Sequence, residues 1–362
     1  MSIAARYERG AERAGDEPAH QSRRPRVVAL GGGHGLHASL SALRLLDIDV
    51  TAVVTVADDG GSSGRIRREL GVLPPGDLRM AIAALAGKPS DTSGWPEVLQ
   101  HRLGGSGALA GHPIGNLLLT GLLEMRGDPV DALDELATLA GARGRVLPMS
   151  LEPLDLIAEV SSVDPDDPVR RRRIRGQSAI ASTAGRVTSI RLVPADAPAC
   201  PAAVAAIETA DAIVLGPGSW FTSVIPHLLV PELAAALMRT QATRVLVLNL
   251  EQQAGETQGF SPEEHLQALH EHCPGLRMDA VVADSVAVLD PDRLARYLGH
   301  TQSRLVLCPV AAEDAGARHD PVRLSIAVAE AAGLTAPSGP RPDGLGTVHR
   351  RDDGRRTEQG AN

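Results

Sequence analysis

Six segments of the chain set glycines and polar side chains directly after apolar runs, a composition suited to gripping an anion. In the first, Val27 to Leu30 runs into Gly31, Gly32, Gly33, His34 and Gly35, ahead of Leu36. Backbone without a Cβ can approach a phosphate closely, and a following helix offers unpaired N–H groups and a positive dipole end. A nucleotide phosphate is the natural guest. The spacing is neither GxGxxG nor a P-loop, and a turn made tight only for packing would have the same composition. In the second segment Asp58 and Asp59 precede Gly60, Gly61, Ser62, Ser63, Gly64 and Arg65. Paired carboxylates at the end of a parallel strand can hold a divalent cation or accept hydrogen bonds from sugar hydroxyls. A simple helix cap at Ser62 or Ser63 would need neither both aspartates nor both glycines.

The third segment, Pro74-Pro75-Gly76-Asp77-Leu78-Arg79, predicts a helix start with Asp77 as N-cap and Arg79 in the first turn. A cation there opposes the helix dipole, which suggests an anion nearby. The fourth places His112 and Asn116 around a glycine turn that opens an apolar helix. The fifth carries Leu215 into Gly216, Pro217, Gly218 and Ser219, then Trp220, Phe221, Thr222 and Ser223. It repeats the cradle logic of the first, so the pair implies a ligand with two anionic groups; the two aromatics read as packing. The sixth, Asn249 to Phe260, is polar and glycine-punctuated and reads either as a segment closing over a site or as a surface loop.

Positioning these turns requires strands that end at them. Buried strands are expected at Val27–Leu30, Val50–Val56, Ala212–Leu215, Arg244–Leu250, Ala280–Ala283 and Arg304–Val310. Helical periodicity falls between them, at Leu36–Leu46, Asp77–Ala86, Gly115–Met125, Pro129–Leu139, Val230–Arg239, Ser261–His272 and Pro321–Ala332. Alternation of this kind predicts an α/β fold: a Rossmann-like, doubly wound, mostly parallel sheet. Residues 144–193, with alternating segments at Leu154–Val160 and Val187–Val193 and an arginine run at Arg170–Arg173, read as a smaller β-rich insertion. The nucleotide-binding domain is then 27–334, with disordered tails at 1–26 and 335–362.

Of 362 residues 43% are hydrophobic, and the net charge is −8, which excludes a disordered polyanion. Lys88 is the only lysine, and an acidic total argues against a nucleic-acid partner. No apolar run approaches the roughly 20 residues of a membrane span, and Met1–Arg26 lacks the apolar stretch of a signal peptide, so a cytoplasmic protein is expected. Cys200, Cys273 and Cys308 read as reduced thiols. Self-association is left open.

Taken in order, GGGHGL, TVADDGGSSGR, PPGDLR, GHPIGN, LGPGSWFTSVIPHLLV and AGETQGF resemble one family across about two thirds of the chain. That family joins the bacterial gluconeogenesis factors to the 2-phospho-L-lactate transferase of deazaflavin coenzyme synthesis. The resemblance implies phosphates bound near Gly31, Gly32, Gly33, His34 and Gly35 and near Gly216, Gly218 and Ser219. Gly60, Ser62, Ser63, His112, Asn116, Thr222 and Ser223 complete the expected site. In the gluconeogenesis factors it implies a UDP-sugar, UDP-N-acetylglucosamine foremost, and a part in cell shape and cell-wall homeostasis on gluconeogenic carbon. In the transferase branch it implies Mg²⁺ held at Asp58 and Asp59, with Asp58, Asp59 and Arg79 as the catalytic candidates; no other cofactor is implied. The segments Asn249–Thr257 and Pro226–Val230 are more similar to the first branch. His34 and Met80 depart from the Thr and Asn that many members carry at those positions.

Overall fold

The computed structural model describes residues 23–86, 94–161, 170–313 and 316–337. The expected tails lie outside the described residues except at 23–26 and 335–337, where Arg23 forms a 2.7 Å ion pair with Asp211.

The first half of the chain runs β1 (Arg26–Gly31), α1 (Gly33–Leu43), β2 (Asp49–Val54), α2 (Gly61–Leu70), α3 (Pro75–Leu85), α4 (Trp95–Gln100), α5 (Ile114–Arg126), α6 (Pro129–Leu139) and β3 (Arg145–Pro148). Then come β4 (Asp155–Ser161), β5 (Arg172–Arg175), α7 (Gln177–Ala181), β6 (Arg186–Val193), α8 (Pro201–Glu208), β7 (Ala212–Leu215), α9 (Pro231–Arg239), β8 (Thr243–Val247), α10 (Pro262–His272), β9 (Ala280–Asp284), α11 (Pro291–Thr301), β10 (Arg304–Cys308) and α12 (Pro321–Ala332). Between β7 and α9, Trp220–Val224 winds as a π-helix and Ile225–Leu229 as a 3₁₀ turn.

Seven strands form one sheet in the order β10-β9-β8-β7-β1-β2-β3, and every neighbouring pair is parallel. Central strands such as β7 and β9 are buried at each position, as expected where helices cover both faces. The core is mostly aliphatic, with Leu30, Leu36, Leu40, Leu78 and Ile82 fully enclosed beside Trp220 and Phe221. Three strands, β5-β4-β6, make a separate antiparallel sheet. Its alternating burial, on every second residue of β4, follows from having one face on the core and one in water. The insertion is narrower than 144–193, because β3 pairs with β2 and edges the main sheet, so the antiparallel unit starts at Asp155. The arginine run leads into the edge strand β5, where Arg173 pairs with Glu159 and Arg175 with Asp155.

Among the described residues no single helix is long and apolar enough to cross a membrane. The one apolar pair, Trp220–Leu229 with Pro231–Arg239, bends by 79° between its halves. Its first half is buried nearly throughout.

Candidate functional site

After β1 the chain builds outward through β2 and β3, and later returns to lay β7 against the other side of β1. The strand order reverses between β1 and β7, and in open α/β sheets ligands bind in the crevice outside the strand ends at such a point. Gly31 closes β1 there and Leu215 closes β7, so the two glycine turns meet. Gly216 N–H donates to Leu30 O at 3.3 Å, and Ser39 Oγ donates to Gly216 O at 2.7 Å. A Cβ on Gly35 would stand 2.1 Å from Pro217 O and 2.4 Å from Gly218 Cα. Glycine is therefore required by backbone-to-backbone contact. The N-cap of α1, Gly32, supplies no side-chain cap and the first turn holds no acidic residue of its own, so the positive helix end faces the crevice, where the Asp77 carboxylate takes the Gly33 amide. His34 is exposed on that turn.

Two carboxylates line the crevice, and they are not the adjacent pair. Asp58 Oδ1 accepts from Gly60 N–H at 2.9 Å. Asp77 lies in the first turn of α3 and does not cap it, because the helix starts at Pro75 with Pro74 as N-cap. Its carboxylate instead reaches the first glycine turn: a Cβ on Gly32 would lie 2.7 Å from Asp77 Oδ2. That oxygen is buried with no hydrogen-bond partner. Burial first, then the charge of Asp58, lifts the Asp77 carboxyl to about 7, against the pull of the Gly33 amide and Arg79. Burial also raises Asp58, opposed by its bonds to Gly60 and Ser63. Asp59 points elsewhere: its Oδ1 accepts from Ser178 N–H at 2.9 Å at the start of α7, joining the insertion to the core.

An unpartnered buried carboxylate oxygen beside a second carboxylate fits a hard cation, with phosphate and water oxygens completing the shell. Asp58 and Asp77, rather than Asp58 and Asp59, are the pair that could hold it. Among the described residues no group of three or more His, Cys, Asp or Glu side chains could hold a metal unaided.

Arg79, 4% exposed, is the head of a buried polar chain. Its Nε donates to Asn116 Oδ1 at 2.9 Å, and its Nη1 donates to Gln100 Oε1. Asn116 Nδ2 donates to Ser62 Oγ at 2.9 Å, and Ser62 Oγ lies 2.7 Å from His112 Nδ1. Burial pushes Arg79 down to about 10 and lowers His112. Four residues expected from three separate segments are thereby wired together. Gln100, on α4, carries no sequence signal that could have pointed to it. Ser63 stays close by, accepting from Gly76 N–H at 3.0 Å.

The second glycine turn is braced from outside the crevice. Asn249 Oδ1 accepts from Gly218 N–H at 2.8 Å while its Nδ2 donates to Gly218 O at 2.9 Å. Gln253 Oε1 accepts from Trp220 N–H, and its Nε2 donates to Ser219 Oγ. Glu256, 2% exposed, accepts from Phe221 N–H at 2.8 Å and from Thr222 Oγ1 at 2.6 Å. The 249–257 segment is thus a clamp, and it occupies the amides of Gly218, Trp220 and Phe221 as well as the Thr222 hydroxyl. The clamp does not take up the small groups between the turns, among them Ser223, whose Oγ lies near Gly32. Trp220 and Phe221 pack as expected, Trp220 Nε1 donating to His265 O at 3.0 Å. Glu256→Ala strands buried donors and is expected to lower stability by about 2–3 kcal/mol, whereas Glu256→Gln, which keeps an acceptor, costs far less. Urea unfolding of both variants checks this, and equal losses would contradict it.

The parallel sheet, its switch-point crevice and the two touching glycine turns define a Rossmann-like α/β protein carrying an antiparallel insertion. The profile of the family described as 2-phospho-L-lactate transferase CofD matches residues 27–318. A gluconeogenesis factor of Listeria monocytogenes is 40% identical over 265 residues, covering 73% of this chain and 79% of its own. A Mycobacterium tuberculosis protein, whose designation as a gluconeogenesis factor is provisional, is 56% identical over 302 residues, 83% of this chain and 88% of its own. A crystal structure of a Bacillus halodurans protein superposes with a TM-score of 0.75 at 33% identity, covering 84% of this chain and 99% of that one. The chain belongs to the gluconeogenesis factor family, with a CofD-like domain.

Proposed function

We propose that the chain binds a nucleotide-activated sugar in the switch-point crevice, UDP-N-acetylglucosamine first among the candidates. In this reading it is a cytoplasmic binding protein that serves cell shape and cell-wall homeostasis during gluconeogenic growth. The observation that carries the reading is the meeting of the Gly31–Gly35 and Gly216–Ser219 turns beside an α1 N-terminus with no side-chain cap. Such an end attracts phosphate through its dipole and the amides other than that of Gly33, which Asp77 takes. Family membership supports the same reading. Calorimetric titration with UDP-N-acetylglucosamine, UDP-glucose and GDP tests it: saturable heat with a UDP-sugar is expected, and silence from every UDP-sugar rejects it.

A second reading, an Mg²⁺-dependent phospholactate transferase, is favoured by the orphaned Asp77 oxygen next to Asp58. Asp58 and Asp77 would hold the ion, which when bound offsets phosphate charge. An acceptor hydroxyl would attack the lactyl-bearing phosphorus of a lactyl diphosphonucleoside. A new P–O bond forms, the bond to the nucleoside monophosphate breaks, and the hydroxyl proton leaves to a base. Arg79, held by Asn116 and Gln100, would place positive charge near that phosphate. Incubation with a deazaflavin alcohol, the activated lactate and Mg²⁺ separates the readings. A phospholactyl product supports the transferase, and no turnover despite intact binding leaves the binding role.

A further inference from the structure

The arginine run at Arg170–Arg173 takes no part in the crevice, and the fold sets it on an open sheet edge. In the order β5-β4-β6 the strand β5 has a neighbouring strand on one side only. Its burial is that of a free edge, with Arg172, Arg173 and Arg175 exposed and Ile174 half-buried. The direction of its backbone groups follows from one bond. Gly176 N–H donates to Leu156 O at 2.8 Å, one step beyond the register pair of Ile157 with Arg175. Bonded and non-bonded pairs alternate along an antiparallel ladder, so Ile174 and Arg172 turn their N–H and C=O toward β4. Arg173 and Arg175 turn theirs outward, where no strand meets them.

Charge decides what can pair there. On this sheet Asp155 and Glu159 of β4 are already taken, by Arg175 and Arg173, and Arg67 of α2 shares Asp155. Arg191 stands opposite Ile157 on β6 as Arg175 does on β5, so the two lie on the same face. Arg170, Arg171 and Arg191 are exposed and form no ion pair among the described residues. The edge is thus a local surplus of cations in a chain whose net charge is −8. A second copy pairing edge to edge would set arginine against arginine, which is unfavourable. A nucleic acid would match the charge but not the row of backbone donors and acceptors. An extended acidic peptide matches both.

We propose that β5 is the docking edge for an acidic, extended segment of a partner protein, which adds to the antiparallel sheet as a further antiparallel strand. Segment residues opposite Arg173 and Arg175 carry carboxylates on the solvent face, and the residue opposite Ile174, on the other face, is apolar. Only Gly176 separates this edge from the crevice loop. A Cβ on Gly176 would run into the Asp59 carboxylate, and Ser178 N–H donates to Asp59 Oδ1 at 2.9 Å. The proposal is independent of the nucleotide-binding reading.

Fluorescence anisotropy on the full chain tests it, with a labelled peptide of alternating glutamate and valine about seven residues long. Saturable binding is expected. In the docked strand the glutamate amides face β5 and the valine amides face away. N-methylation of the glutamate amides should therefore weaken binding by more than roughly tenfold, and N-methylation of the valine amides by less than about twofold. Arg170→Glu combined with Arg171→Glu should also cost more than roughly tenfold, with an unchanged thermal midpoint because neither side chain is packed. Equal binding of the two methylated peptides would mean charge attraction without strand addition and overturns the proposal. Tighter binding of oligothymidylate than of the peptide marks a nucleic-acid surface and overturns it too, as does the lack of any saturable peptide binding.

Discussion

Gly35→Ala is expected to reduce nucleotide affinity at least tenfold and to lower stability by about 1–3 kcal/mol, the usual range for overpacking. The added methyl has nowhere to go. It would meet the Pro217 carbonyl oxygen at 2.1 Å and the Gly218 Cα at 2.4 Å, both backbone, so one glycine turn must be displaced from the other. Separation of the turns widens the crevice at the point where α1 presents its amides. Gly121→Ala is the matched control, since a Cβ on that α5 glycine meets nothing within 4 Å and should stabilise the helix by up to about 1 kcal/mol. Thermal unfolding and calorimetry on both variants decide the matter. Equal affinity in the two would refute the claim that loop contact builds the site.

Asp77→Asn is the second, with an effect that depends on pH. The folded carboxyl titrates near 7 and an unfolded one near 3.8, so the native state binds more protons than the unfolded state between those values. Wild-type stability must therefore fall as pH rises from about 4 to about 7, by on the order of 3 kcal/mol before coupling with Asp58 is taken into account. Asparagine carries no charge to bury. The variant should be more stable than wild type at pH 8 and indistinguishable from it at pH 3.5, where both side chains are neutral. Denaturant midpoints at the two pH values check this, and a variant destabilised at pH 8 would sink the assignment of a strained buried carboxylate.

Strands and long helices were legible because their burial pattern is written in composition: Ala212–Leu215 and Pro321–Ala332 have the expected bounds to the residue. The start of α2 was obscured, since Gly61 to Arg65 has loop composition: the serines offer a cap at Ser62 or Ser63, whereas the helix begins at Gly61 with Gly60 as N-cap. The edge strand β3 was lost to the insertion because four residues carry too little periodicity to reveal their partner. At the site, glycines advertised the turns, but which carboxylate faces inward did not follow from adjacency. Asp58 and Asp59 are neighbours in sequence that diverge in space, and Asp77 arrives from the following helix. The clamp role of Asn249, Gln253 and Glu256 depends on side chains reaching a strand end roughly 35 residues upstream, which no local pattern encodes.

The buried chain from Arg79 to His112 has a direction. A guanidinium can only donate, so Asn116 must turn its oxygen toward Arg79 and its nitrogen toward Ser62. The serine oxygen, having accepted from that nitrogen, meets His112 Nδ1 at 2.7 Å through its remaining lone pair or its hydrogen. One permanent cation thus dictates the amide flip and, through it, makes Ser62 an acceptor two hydrogen bonds away.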